Sequence, residues 1–504
     1  MFDAGGWVLL ESAIADLPAD LRWLFESGAV TIDHLSALHG ALGAMSIADL
    51  LAELRRESIR RVPGLDETVE TAIRSALPAL RAAVPRIPLG RAMSLADPVL
   101  ARLRAAGAAW ARPVGSLRRG LDLVGDIEIV AAMEDPAPAI ESLLDLPDLA
   151  RTLHRGPRRL YLVTDRVQIG VRCPPPASAG AALLHLTGSA THLDQLRALA
   201  AGRGFRLEPE GLFRGGDSTP IAASEEGMYE ALGLPWIPPE IRNGDDEVAA
   251  AQDGRLPALI ARRDIRGDLH MHTSWSDGRD SVEAMVTACV ALGYEYMAIT
   301  DHSPRAAASR TLSPDGIKRQ AQEIADLRGR YPQITILHGC EVDILADGKL
   351  DFNDRLLERF DIVLASLHEQ FGHAPDQLLR RYLAAVRNPF VTLITHPTNR
   401  LIPFRRGYDL DYDRLFAAAA ESGTIVEIDG APSHLDMEGA LARRAIAAGV
   451  TVAIDSDCHR AEALDRQMEL GLLLARRGWV EPRHVLNTRP IADIRALIAA
   501  KRAR

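Results

Sequence analysis

From residue 266 onward the chain alternates between two hydrophobic periods. Short apolar, β-branched-rich runs end on polar residues: IRGDLHMH, EYMAITDH, ITILHGCE, DIVLASLH, VTLITHP, GTIVEID and TVAIDSDCH. Between them lie SVEAMVTACVALG, SPDGIKRQAQEIADLRGRY, DQLLRRYLAAVR and EGALARRAIAAG, in which apolar positions recur at helical spacing. Repeated strand and helix units predict a parallel sheet closed into a barrel, whose strand C-termini gather residues from distant parts of the chain on one rim. Seven such strands can be counted, one short of the common eight.

The polar residues at or just beyond these strand ends are of metal-ligand type: His270, His272, Asp277, His302, Glu341, His368, His396, Asp457 and His459. A lone His is more often a structural side chain, but this conjunction is specific. His270 and His272 lie two apart on a strand end and can face one side, and Asp457 and His459 repeat that spacing. Imidazole and carboxylate at this density suit zinc, manganese or iron, and clustered ions can activate water and clamp a phosphate oxygen. The pattern reads as a metallohydrolase site.

The segments GDLHMHTSWSDG, ITDHSP, GCEVDILADGKLDF, ASLH, HPTNR and DSDCH resemble the polymerase and histidinol phosphatase (PHP) domain, and more narrowly the version fused to bacterial X-family DNA polymerases. The resemblance implies a distorted (βα)7 barrel holding two to three divalent ions. His270, His272, Glu341 and Asp457 would hold one, Glu341, His368 and His396 a second, and Asp277, His302 and His459 a third. It further implies a phosphoesterase, in the fused polymerases a manganese-dependent 3′-5′ exonuclease, with DNA as substrate. His368 would belong to the catalytic set. Arg400, four residues after His396, would grip a phosphate, because a guanidinium fork matches phosphate oxygens.

A second constellation lies upstream in GSLRRGLDLVGDIEIVAA. It runs from a Gly-Ser turn to Asp126 and Glu128, two carboxylates that share a strand face, as magnesium ions around a triphosphate require. This segment resembles the beta-type nucleotidyltransferase motif of X-family polymerases, which would make Asp126 and Glu128 catalytic and place Ser116, Arg119 and Gly125 around a nucleotide. LTGSATHLDQLRALAAGRGFRL and EEGMYEALGLPWIPPEIR look like that family's palm and thumb, so the resemblance covers nearly the whole chain. The chemistry departs from it. The second carboxylate is Glu128 rather than Asp, and the position of the third is Gln168, with Asp165 on the opposite strand face. An amide cannot help deprotonate a 3′-hydroxyl, so an impaired polymerase site is expected. His185 and Leu186 stand where aromatics usually precede Thr187-Gly188-Ser189. A polymerase that still works with Asp126 and Glu128, and a small-molecule phosphatase of the histidinol phosphatase type, remain as alternatives.

The front of the chain, residues 1–85, is Leu- and Ala-rich and predicts helices. ESGAVTIDHL and VPGLDETVE stand where helix-hairpin-helix turns would meet DNA phosphates; Gly64 is kept, but Asp66 would repel a phosphate. Residues 86–240 would form the palm and thumb, 241–265 a linker, and 266–504 the barrel. At 504 residues, 47% hydrophobic and 25% charged, the chain has the composition of a soluble multidomain protein. No apolar run approaches membrane-spanning length and MFDAGGWVLL lacks a charged signal start, so a cytoplasmic location is expected. Cys173, Cys289, Cys340 and Cys458 form no CxxC pair, which argues against a zinc finger or a disulfide framework. A net charge of −10 leaves nucleic-acid contact to local patches such as Arg118-Arg119 and Arg405-Arg406.

Overall fold

The computed structural model describes residues 19–503 apart from 45–46, 84–85, 126, 148, 165–166, 223, 307 and 370–373. Asp126 and Asp165 therefore lie outside the described residues. The chain divides into two compact units, Met1–Arg255 and Leu256–Arg504.

The first unit opens with four helices, α1 (Ala19–Glu26), α2 (Ile32–Leu42), α3 (Ile47–Arg55) and α4 (Glu67–Ala83). Their spaced leucines, among them Leu21, Leu24, Leu35, Leu38, Leu50 and Leu54, close a core of their own. Thr31 caps α2 by accepting from the His34 N–H at 3.2 Å, and Gly43 ends it in the left-handed region. Both hairpin-like turns use a left-handed glycine, Gly28 and Gly64. Asp66 has a structural use there: its Oδ1 accepts from the Val69 N–H at 3.0 Å, at the start of α4. The side chain thus occupies helix-start donors that a phosphate would need.

Next comes a five-stranded mixed sheet built from β1 (Trp110–Pro113), β2 (Ile127–Ala132), β3 (Leu149–Arg155), β4 (Arg159–Thr164) and β5 (Val167–Arg172), in the order β1-β2-β5-β4-β3. The central pair β2/β5 is parallel, with Glu128 opposite Gly170. The expected linker starts differently from its acidic, glycine-punctuated sequence. Glu247 is fully buried and bonds His192 Nδ1 at 2.6 Å, which packs 247–252 as a helix in the first unit. Beyond residue 255 the chain joins the second unit, where the Ile260 N–H donates to Val480 O.

The second unit holds seven parallel strands in sequential order: β6 (Gly267–Asp268), β7 (Tyr296–Ile299), β8 (Thr335–Asp343), β9 (Ile362–Ser366), β10 (Leu393–Ile394), β11 (Ile425–Asp429) and β12 (Val452–Asp455). This is the anticipated (βα)7 count. Helices whose first residues follow Ser281 and Ser313 lie between strands; each serine caps its helix, accepting at 3.2 and 3.0 Å. The seam between β6 and β12 is nearly closed. Met271 and Cys458 form a parallel bridge there, and the fully buried Asn487 side chain stands in for a strand. It donates to Gly267 O at 2.9 Å and accepts from the Ile454 N–H at 3.0 Å. Ile494 and Ile498 of the last helix pack with Leu269, Leu337, Leu364, Leu393 and Ile425 in the core of this unit. Among the described residues no helix is long and apolar enough to cross a membrane.

Candidate metal centre

The strands of the barrel place all nine expected ligand residues in one cluster. His270 and His272 flank the Met271 bridge beyond β6, His302 forms a bridge with Glu341, and His368 and His396 follow β9 and β10. Two of the nine have left-handed backbone, His396 at φ +24° and Asp457 at φ +47°, a region that non-glycine residues uncommonly adopt.

Glu341 is the hub. It is fully buried, and its Oε2 lies 3.0 Å from His302 Nδ1, 3.3 Å from His270 Nε2 and 3.4 Å from His272 Nε2. Its Oε1 lies 2.9 Å from His396 Nε2 and 3.3 Å from His368 Nε2. Asp457 Oδ1 reaches His272 at 3.1 Å and His270 at 3.5 Å. Asp277 Oδ1 lies 3.5 Å from His302 Nε2 and 3.4 Å from His459 Nε2. Three groups result in which the ligand atoms lie within 4.8 Å of one another: His270, His272 and Asp457; His302, Glu341 and His368; and His272, Asp277, His302 and His459.

The donor chemistry fits divalent cations. His270 Nε2 and His272 Nε2 face each other at 3.0 Å, where one proton at most can lie between two lone pairs. Among the described residues His272 Nδ1, Asp277 Oδ1 and His302 Nδ1 are buried without a hydrogen-bond partner, a cost that a coordinated ion removes. The electrostatics divide the imidazoles: burial would lower His270, His302 and His368, but the buried carboxylates beside them, Glu427 for His270 and Glu341 for His302 and His368, raise all three, so a bound cation would have to displace protons there. Burial would raise the Glu341 carboxyl, but the imidazoles of His302, His368 and His270 hold it well below the usual range. Burial, with His302 and His459 beside it, pushes His272 down to about 3. Neutral imidazole and ionised carboxylate are the ligand forms.

A second layer of carboxylates orients the imidazoles, and sequence reading missed it. Fully buried Glu427 lies 2.7 Å from His270 Nδ1 and accepts the His396 backbone N–H at 2.7 Å. Asp343, two residues from Glu341 on β8, holds His368 Nδ1 at 3.0 Å. These contacts place the protons on Nδ1 and turn each Nε2 toward the cluster. The His434 ring stacks on that of His396 at 5.5 Å. The alternation in GTIVEID was the one available signal for Glu427.

Arg400 departs from its expected use. Its Nε donates to His434 O at 3.0 Å, its Nη2 to Leu435 O, and its Nη1 lies 3.7 Å from Glu438. In this arrangement the guanidinium fork is engaged by the carbonyls of that loop.

In the palm, Ser116, Arg119, Gly125 and Glu128 do line one cavity of about 320 Å³, together with Arg55, Arg86 and His185. Glu128 is paired with an arginine on the neighbouring strand. Its Oε2 accepts from Arg172 Nε at 3.0 Å, and its carboxylate folds over Gly170, where a Cβ would come within 2.2 Å of Oε1. Arg172 also donates to Asp49 at 2.6 Å. Arg118 is not a surface cation: it forms a two-point pair with buried Glu225 at 2.7 and 2.8 Å. Arg119 donates to Thr187 O at 2.5 Å. Gln168 lies on β5, one residue before the Ile127–Ile169 pair. Burial, reinforced by Arg197, Arg55 and Arg56, pushes His185 down to about 3. All four cysteines are buried and unpaired.

Comparison with known proteins matches this arrangement. The DNA polymerase beta thumb family matches residues 182–243 and the PHP domain family residues 268–428. A Bacillus subtilis (strain 168) protein, DNA polymerase/3′-5′ exonuclease PolX, is 34% identical over 502 residues, covering 98% of this chain and 87% of its own length. The barrel alone is similar to probable phosphatases. One from Thermoanaerobacter sp. (strain X514) is 28% identical over 44% of this chain and 89% of its own, and one from Acetivibrio thermocellus is 32% identical over 38% and 78%. The chain therefore belongs to the bacterial X-family DNA polymerases with a fused PHP domain, and its barrel is that of a hydrolase.

Proposed function

We propose that the barrel is a metal-dependent phosphoesterase that removes nucleotides or phosphates from DNA 3′ ends, and that the front half binds DNA without extending it. The observation that carries this reading is the gathering of nine ligand-type side chains in one cluster, with five imidazoles sharing the two oxygens of Glu341. His270, His272, Glu341 and Asp457 would hold one ion, Glu341, His368 and His396 a second, and Asp277, His302 and His459 a third. Bound divalent metals supply Lewis acidity and a water made nucleophilic near neutral pH. The chain's own residues do the rest. Glu427 and Asp343 would hold the Nδ1–H tautomers of His270 and His368, and burial of His270, His272, His302, Glu341, His396 and Asp457 removes competing hydrogen-bond partners. Glu128 paired with Arg172, and Gln168 on the neighbouring strand, support a palm that does not place two catalytic carboxylates for primer extension.

The test is a 5′-labelled primer annealed to a template, incubated with manganese, with and without nucleotides. Shortening in both lanes that is lost in His368→Ala is the expected result. Lengthening with nucleotides that disappears in Asp126→Ala would refute the view of the palm. The similarity of the barrel alone to probable phosphatases favours a second reading, hydrolysis of a small phosphate monoester; phosphate release from such esters with no loss of primer length would establish it.

A further inference from the structure

Phe404 is 84% exposed, against 42% for Ile221, the other exposed large apolar side chain among the described residues. A single exposed hydrophobic is ordinary, so the loop beneath it decides its meaning. That loop is tightly held. Leu401 and Arg405 exchange backbone bonds of 2.9 and 2.7 Å, the Ile402 N–H donates to Ser433 O at 2.7 Å, and the Tyr408 N–H to Thr398 O at 2.8 Å. Arg405 Nη2 closes the turn from inside, donating to Asn399 O and Oδ1 at 2.8 Å each. Phe404 is thus the tip of a fixed turn, not a side chain on slack backbone.

The base of that turn adjoins the candidate metal cluster. The turn follows His396 directly. Asn399 Nδ2 bonds the carbonyl of Glu369, the residue after His368, at 3.3 Å. Ser433, which anchors Ile402, precedes the His434 that stacks on His396. Exposed Pro403 and Arg406 lie one and two residues from Phe404 along the turn. One aromatic ring offers about 150–250 Å², far below the 1,200–2,000 Å² that a stable protein interface needs. An exposed ring with a cation on the same turn suits a nucleobase with its phosphate, and every base has a π face to stack.

We infer that Phe404 is the platform on which the terminal base of a DNA strand stacks while its phosphodiester lies at the metal centre, with Arg406 beside the strand's phosphates. The inference deepens the reading of the barrel as a DNA 3′-end nuclease and rests on it. Phe404 acts as a positioning residue and takes no part in proton or metal chemistry.

Steady-state exonuclease kinetics of the full-length manganese protein test it, on oligonucleotides ending in an ordinary or an abasic nucleotide. Phe404→Ala is expected to raise KM about tenfold or more on the ordinary end, the range of a lost base-aromatic stack, with kcat and bound manganese unchanged. Phe404→Trp restores KM. On the abasic end wild type and Phe404→Ala behave alike. A KM in Phe404→Ala equal to that of a wild type that does degrade DNA overturns the stacking role alone. A wild type with no activity on DNA overturns the nuclease reading together with it. A drop in molar mass of Phe404→Ala by light scattering, with KM unchanged, would assign the ring to a contact with a second copy and also refute the inference.

Discussion

Replacing Glu427 tests whether the outer carboxylates make the metal centre. Glu427→Ala would leave two buried donors, His270 Nδ1–H and the His396 backbone N–H, each now bonded at 2.7 Å, without an acceptor. At about 1–3 kcal/mol each, that amounts to roughly 2–6 kcal/mol and threatens the fold. Glu427→Gln is the sharper variant because it keeps the shape. Its carbonyl oxygen can still accept from His396, but its NH2 then meets His270 Nδ1. The imidazole must turn to the other tautomer to accept that bond, and its Nε2–H then points at His272 and Glu341, where a lone pair is needed. Loss of such a partner weakens metal binding about 10–100-fold, or roughly 1.4–2.8 kcal/mol. The assay is calorimetric titration of metal-free protein with manganese, with metal content after dialysis and ester hydrolysis across a manganese series. Glu427→Gln should keep its unfolding midpoint, bind manganese more weakly, and regain most activity at high manganese. Unchanged manganese affinity would refute the tautomer argument. So would activity that stays lost at full occupancy, which would place Glu427 in the reaction rather than behind the ligand.

Other consequences can be checked separately. Glu225 is held down to about 2; its burial opposes this, but Arg118 and Arg242 outweigh it. The unfolded carboxyl titrates near 4.5, so its contribution to stability is complete above that pH and is lost as pH falls from 4.5 toward 2. Unfolding of the first unit, followed by fluorescence of Trp236, whose indole bonds Glu225 at 3.0 Å, should therefore be facilitated across that window, and Glu225→Gln should flatten the dependence while lowering stability at neutral pH. In the palm, Gln168→Asp alone should leave primer extension undetectable, because Arg172 still neutralises Glu128; extension by this single variant would show that the missing carboxylate was the whole defect. Asn487→Ala leaves the Ile454 N–H and Gly267 O unpaired at the barrel seam and should cost about 2–4 kcal/mol, read as a fall of several degrees in the barrel's thermal midpoint.

The strands of the barrel and the clustering of ligand-type residues at its rim were legible because both obey local rules. An apolar run of period two or a buried run can be seen in a few residues, and in a parallel barrel each strand ends at the same rim, so a His, Asp or Glu there is already placed. Glu341, His368 and Asp457 could be chosen without knowing their neighbours. The partners of those residues could not. Glu427 is 157 positions from His270 and Asn487 is 220 from Gly267, and nothing local marks either as anything but a polar residue near a strand. The same holds for the partners of the charged residues expected at phosphates and metals. Arg400 and Arg118 looked like cations available to phosphate, and only the packed chain shows the carbonyls of His434 and Leu435 and the buried Glu225 that claim them. Glu128 reads in the sequence as one of a carboxylate pair, and only strand register shows Gly170 beside it and Arg172 within reach. The sequence by itself determined which side chains can bind a metal and at which end of the barrel they stand. Which of their protons are held, and which charges are already neutralised, was decided by tertiary structure, because hydrogen bonds and ion pairs depend on ångström distances between residues that the chain brings together only when it folds.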